Sequence, residues 1–239
     1  DDGYKAASIG QERALIRVLF NYARNTWYWG DPLVNPASGR KLPKLNNKRE
    51  RVISNAEWDR IIAALRRGRN PYVMPALGLL LATAMRVGEA LFTARWQDVD
   101  LGRCILRLRR AKAGAREVPL SPEAVEILRQ LWARAGDPEP TARILPMTYE
   151  AVKAAWNRAC TSAGVEDAHI HDLRHTSATR YAIEYHGNMP VLKRITGHLT
   201  DSMVNRYVHV SADDVVRMMH GRPGTEADAP AGLSAEKLD

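Results

Sequence analysis

The stretch Cys104-Ile-Leu-Arg-Leu-Arg-Arg-Ala-Lys112-Ala-Gly-Ala-Arg116-Glu-Val-Pro-Leu120 decides between an all-helical and a mixed reading of the chain. Cys104, Leu106 and Leu108 alternate with Ile105, Arg107 and Arg109, the period of two that a half-buried strand requires. Lys112-Ala-Gly114-Ala interrupts this alternation as a turn, and Arg116 to Leu120 forms a return strand. No other segment reads convincingly as a hairpin.

Outside the hairpin the periodicity is helical. Upstream, Pro71 to Thr83 is strongly apolar and reads as a buried helix with Pro75 in its first turn, followed by a second helix over Val87 to Ala94. Ser54-Asn-Ala-Glu57 has the spacing of a capping box, and Trp58, Ile61, Ile62 and Leu65 continue from it as an apolar stripe. Ser8 to Trp29 reads as one helix, with Leu15, Val18, Leu19 and Tyr22 at helical spacing, stopped by Gly30-Asp31-Pro32. Downstream, helices are expected over 121–135, about 148–163, 172–185, 188–196 and 211–220. The fold class expected is mainly α with a small antiparallel β-sheet or hairpin (α+β).

Composition excludes several classes. The 239 residues are 45% apolar and 26% charged, an ordinary globular balance that rules out wholesale disorder. The longest apolar run, Met74 to Met85, contains a proline and is too short to span a bilayer. Two cysteines, Cys104 and Cys160, have no metal-ligand or CxxC spacing, which argues against a disulfide scaffold or zinc module and for a reducing compartment. The net charge of +8 is uneven: Gly221 to Asp239 carries −2, so the first 220 residues carry +10. This tail is rich in Ala, Gly and Pro and reads as flexible. In contrast, Arg40, Lys41, Lys44, Lys48, Arg49 and Arg51 crowd one turn-rich stretch, which is either a solvated linker or a basic strap for phosphates.

Four clusters could do chemistry. Arg86 and Glu89, at i,i+3 where one apolar helix gives way to the next, can pair on a helix face, which alone reads as an ordinary surface pair. Lys112 at the hairpin tip is either solvent-exposed or a flexible proton donor. His171 and Arg174 project from one helix face, where an imidazole and a guanidinium could address one phosphate. Thr196-Gly197-His198 is followed by Tyr207, either an amphipathic core tyrosine or a phenol nucleophile. A free phenol titrates near pH ~10 and needs neighbouring cations and a base to act. Together these groups are the parts needed to move a phosphodiester onto a tyrosine without a metal. The arginines would stabilise the charge of the pentacovalent transition state, lysine would protonate the leaving oxygen and histidine would take the phenolic proton.

From about Ser54 to His220 the sequence resembles the tyrosine recombinases of the phage-integrase family. The resemblance rests on Thr-Ala-Met-Arg86-Val-Gly-Glu89, the Lys112 hairpin ending in Val-Pro-Leu, His171-Asp-Leu-Arg174-His-Thr, Gly197-His198 and Tyr207-Val-His, in the family's order and spacing. Ala84 and Thr196 depart from the glycine and leucine common in the family. The resemblance implies that residues 1–39 are the end of a helical core-binding domain, 40–53 a basic interdomain linker, 54–220 the catalytic domain and 221–239 an acidic tail. It implies that Arg86 and Arg174 clamp the phosphate, Lys112 is the general acid, His171 acts on the base side, His198 hydrogen-bonds the phosphate or orients its neighbours, Tyr207 attacks, and Glu89 supports the Arg86 turn. Arg40, Lys41, Lys44, Lys48, Arg49 and Arg51 would contact DNA. No metal, nucleotide or other cofactor is expected. The partners implied are double-stranded DNA, further copies in a homotetramer on paired sites, and accessory DNA-bending proteins. No membrane is involved, and the location implied is cytoplasmic and nucleoid-associated. A type IB topoisomerase-like enzyme and a catalytically silent DNA-binding protein are the competing readings.

Overall fold

A computed structural model describes residues 6–29, 35–39, 41, 49–110 and 114–208. The chain divides into two compact units, with the boundary between Arg49 and Glu50. The expected helix 211–220, the tail 221–239, and Lys112, Arg40, Lys44 and Lys48 lie outside the described residues.

The first unit is organised by α1 (Ala6–Thr26), on which only Ala23 is buried. Arg13 Nε donates to the Ala37 carbonyl at 2.7 Å, and Asn35 Nδ2 donates to the Arg17 carbonyl at 2.9 Å, folding 35–39 back along the helix. Leu15, Val18, Leu19 and Tyr22, the stripe read from the sequence, are exposed.

The second unit is mainly helical with one small sheet among its described residues. α2 (Asn55–Leu65) starts on the expected capping box: the Glu57 N–H donates to Ser54 Oγ and Glu57 Oε2 accepts from the Ser54 N–H. α3 (Val73–Thr83) is buried along nearly its whole length. β1 (Val99–Asp100), β2 (Ile105–Leu108) and β3 (Arg116–Pro119) form an antiparallel sheet in that order, with Val99 opposite Leu106 and Leu106 opposite Val118. α4 (Pro122–Ala135), α5 (Tyr149–Ser162), α6 (Ile170–Glu184), α7 (Met189–Thr196) and α8 (Asp201–Asn205) follow. α3 packs between α4 and α6, α2 on α5, and α7 on β3. Ile61, Leu77, Leu106, Leu128, Trp156 and Leu173 lose all or nearly all contact with water, each such side chain worth about 1.5–3 kcal/mol of burial.

Three details differ from the sequence reading. Val87 to Ala94 is not a regular helix: it widens into a π-type turn over Glu89–Thr93, closed by the Ala94 N–H on the Glu89 carbonyl at 3.0 Å. Cys104 is exposed and outside the strand, because the short β1–β2 connection forces it to φ 52°. β1 and α8, at two and five residues, are too short to leave a periodic signal.

Candidate active site

The site begins where α3 ends. Ala84 takes the left-handed conformation, φ 52°, and turns the chain toward Arg86. Glu89 then holds that turn in two ways, accepting the Arg86 N–H on Oε2 at 2.9 Å and Arg86 Nη1 on Oε1 at 3.0 Å. A residue missed from sequence completes the group: Arg116 Nη2, from β3, donates to Glu89 Oε2 at 2.9 Å. Burial pushes the Glu89 carboxyl up, but the hydrogen bonds and charges of Arg116 and Arg86 outweigh it and hold it below the usual range. The π-type turn grips Glu89 from behind, since Thr93 Oγ1 also donates to its carbonyl, at 2.7 Å. Such widened turns recur at functional sites because they re-aim a side chain without ending the element.

Arg174 is buried in the floor of the site. Nη1 donates to the Ala84 carbonyl, Nη2 donates to the Thr196 carbonyl at 2.7 Å, and Nη2 lies 3.1 Å from His198 Nε2. One guanidinium therefore joins the C-terminal ends of α3 and α7, where the helix dipoles favour a cation. Desolvation first, then the nearby Arg86, lower its pKa to about 10, so it stays charged near neutrality.

His198 follows Gly197, whose φ of +67° closes α7. Desolvation, and then the charges of Arg174, Arg86, Arg206 and Arg116, push its pKa down to about 4. The imidazole is therefore neutral at pH 7. An arginine donor facing Nε2 places its proton on Nδ1, which is buried and has no partner.

The Tyr207 ring stacks on His198 with centroids 5.7 Å apart and planes 22° from parallel. It also meets His175 at 5.0 Å, and the Arg206 guanidinium lies 5.5 Å from its centroid. His171 is exposed in the first turn of α6, where desolvation and the Arg174, Arg86 and Arg206 charges lower its pKa. Asp172 accepts the His169 N–H at 2.7 Å and so holds the start of the helix that presents His171 and Arg174.

Arg86, Glu89, His171, Arg174, His198 and Tyr207, all singled out from sequence, thus converge. Arg116, Asp172 and His175 were not singled out. An arginine opening a strand reads as a surface residue, and a buried histidine within a helix reads as core. The His169-x-x-Asp172 spacing was a usable capping signal, weakened by a histidine in the first place. Of the strap, Arg51 is engaged with Glu57: Nη1 donates to Oε2 at 3.1 Å, Nη2 pairs with Oε1, and the Glu57 carboxyl falls to about 2, chiefly through this hydrogen bonding.

Comparison with known proteins gives this arrangement its context. The model of the phage integrase family matches residues 51–214. The shufflon-specific DNA recombinase of Escherichia coli is 32% identical over 216 residues, 90% of this chain and 54% of that protein. The chain spans 56% and 58% of the lengths of the phage HP1 and P22 integrases, so it covers little more than half of these relatives. A crystal structure of a lambda integrase dimer bound to a COC' core site aligns with a TM-score of 0.68 at 22% identity, over 89% of this chain and 61% of that one. The Tn1549 transposon integrase in complex with transposon right end DNA gives 0.71 at 17% identity, over 92% and 80%. These two likenesses speak for the fold, and the family match, which spans more than half of the sequence, shows that the chain belongs to the phage integrase family.

Proposed function

We propose that the chain carries the catalytic part of a site-specific DNA recombinase or integrase, which cleaves and rejoins strands through a 3′-phosphotyrosyl intermediate. The observation that carries this reading is the seating of Tyr207. Its ring lies against a neutral His198 that Arg174 holds at 3.1 Å, beside a turn that presents Arg86.

In this mechanism Arg86 and Arg174 bind the non-bridging oxygens of the scissile phosphate and stabilise the charge of the transition state. His198, held against Arg174, contacts the same phosphate or orients its neighbours. The Tyr207 phenol attacks phosphorus while its proton passes to the base side, where His171 is kept neutral by its surroundings. The P–O5′ bond breaks, and Lys112 protonates the departing 5′-oxygen. The tyrosyl ester conserves the phosphodiester bond, so a 5′-hydroxyl of another strand can attack it and restore the enzyme without ATP or a metal. Two duplexes held by a homotetramer, with DNA-bending accessory proteins, supply that second strand.

Domains follow the same reading. Residues 1–39 are the C-terminal part of a helical core-binding domain, and 40–53 is the basic linker. Lys41 and Arg49, with Arg40, Lys44 and Lys48, rest on phosphates, so affinity falls steeply with salt. Arg51 serves the linker from within its Glu57 ion pair. The catalytic domain is 54–220, and 221–239 is its acidic tail.

The test is trapping on a nicked suicide duplex that carries the ends of the element encoding the chain. The native chain forms a covalent adduct that persists in EDTA, Tyr207→Phe binds the duplex without forming one, and Lys112→Ala is slowed but recovers when a 5′-bridging sulfur replaces the leaving oxygen. An adduct in Tyr207→Phe, or loss of cleavage in EDTA, would overturn the reading.

A further inference from the structure

Glu89 serves two arginines, and the mechanism above uses only Arg86. The other, Arg116, has a side chain only 11% exposed. Its Nη2 donates to Glu89 Oε2 at 2.9 Å, its Nη1 donates to the Ile195 carbonyl at 3.2 Å, and its buried Nε has no partner. A Cβ added to Gly197 would lie 2.8 Å from Cδ, Nε and Cζ of Arg116, so the guanidinium lies close against the backbone immediately before His198. Gly197 is therefore required twice, for its positive φ and for this approach. Burying a cation this far is costly unless the geometry repays it. Only a planar fork can reach a carboxylate on one side and a carbonyl on the other.

We propose that Arg116 is a positioning residue for phosphoryl transfer: it fastens the Arg86 turn to the Gly197-His198 turn, and by sharing Glu89 it leaves Arg86 with uncancelled positive charge toward the phosphate. Two guanidinium groups around one carboxylate carry a net charge of one. Without Arg116, Glu89 would neutralise Arg86. Arg116 also opens β3 only four positions after Lys112 in the sequence. The role rests on the phosphoryl-transfer reading above.

The experiment compares native, R116M and R116K chains on two nicked suicide duplexes, one with the natural scissile phosphate and one with a neutral methylphosphonate there. R116M is expected to lose about 100-fold in cleavage on the natural duplex, the order of effect of a misplaced clamp. Its DNA affinity should stay within about threefold, because a phosphate contact is retained while an interaction special to the transition state is lost. The defect should shrink on methylphosphonate, where less charge needs neutralising. R116K, which keeps the charge but not the fork, should fall between native and R116M. In DNA-free protein, NMR titration of His198 should move upward in R116M and less in R116K.

Native-like cleavage by R116M, or an equal defect on both duplexes with His198 titrating as in the native chain, would overturn the role. If R116M does not fold, native-like cleavage and titration in R116K overturn it equally. If the native chain itself forms no adduct, the recombinase reading fails, and the His198 titration alone decides whether Arg116 positions that turn.

Discussion

Among its described residues the second unit has two apolar clusters of very different size, and the candidate site straddles them. The larger runs from Ile53 to Leu173 and takes in α2, α3, the sheet, α4 and α5. The smaller consists of Ala178, Ala182, Leu192, Val204 and Tyr207, with Tyr181, Met189 and Val208 against it. α6 belongs to both, with Leu173 in the first and Ala178 in the second, and Arg174 sits at the joint. Arg86 and its Glu89 stand on the larger cluster, whereas His198 and Tyr207 stand on the smaller. Local stability follows buried apolar contact, so α7, α8 and Tyr207 open more readily than the frame beneath them. In the proposed mechanism that division has a use: the clamp stays fixed while the residue that must take up and release a DNA strand is lightly held.

The contrast can be broken by mutation. Trp156 is fully buried in the larger cluster and donates Nε1 to the Ala168 carbonyl at 2.9 Å. Trp156→Ala is expected to cost about 3–5 kcal/mol and to lower the urea midpoint of the whole second unit. Leu192→Ala, in the smaller cluster, is expected to cost about 2–3 kcal/mol and to speed amide exchange in α7 and α8 well before α3. Equal acceleration of exchange in α3 would show that the two clusters unfold as one.

Acid sharpens the same comparison. His198 is at about 4 in the folded chain, below the ordinary ~6.5, so the unfolded state takes up its proton first as the pH falls. Stability from this group is full above about pH 6.5 and declines toward pH 4. His171 and His175, also lowered, act in the same direction. Glu57 works in a lower window: its contribution is present above 4.5 and lost as the pH falls toward about 2. Exchange in α7 and α8 should therefore rise between pH 6.5 and 4, and His198→Asn should flatten that dependence.

The smallest effect expected is a gain. Ala84 holds φ 52° at full burial, a conformation that costs a residue with a Cβ. Ala84→Gly should stabilise the second unit by about 0.5–1 kcal/mol, the relief of strain being partly offset by unfolded-state entropy. A lower thermal midpoint would contradict this.

Much of this frame was legible in the sequence, because long elements leave long patterns. The apolar run to Thr83, the Ser54–Glu57 box and the alternating hairpin each had a period or a capping pair to read, and the site residues stood out as a set of chemical types in order. The Val87–Ala94 segment misled because its apolar spacing suits a regular helix, while the widening at Glu89 depends on what Thr93 and Ala94 bond to. Arg116 was invisible for a related reason. Its partners, Glu89, Ile195 and Gly197, are distant in sequence, and nothing local marks a strand arginine as buried. The exposed stripe of α1 was read correctly as apolar, yet pattern alone does not say what covers it.

The most direct measurement is the identity of the residue that joins DNA. The native chain, trapped on the nicked suicide duplex and digested with protease, should yield one nucleotide-bearing peptide, with mass spectrometry placing the 3′-phosphate on the Tyr207 oxygen. A phosphate on any other residue, or cleavage that leaves no covalent peptide, would contradict the assignment of Tyr207 as the nucleophile.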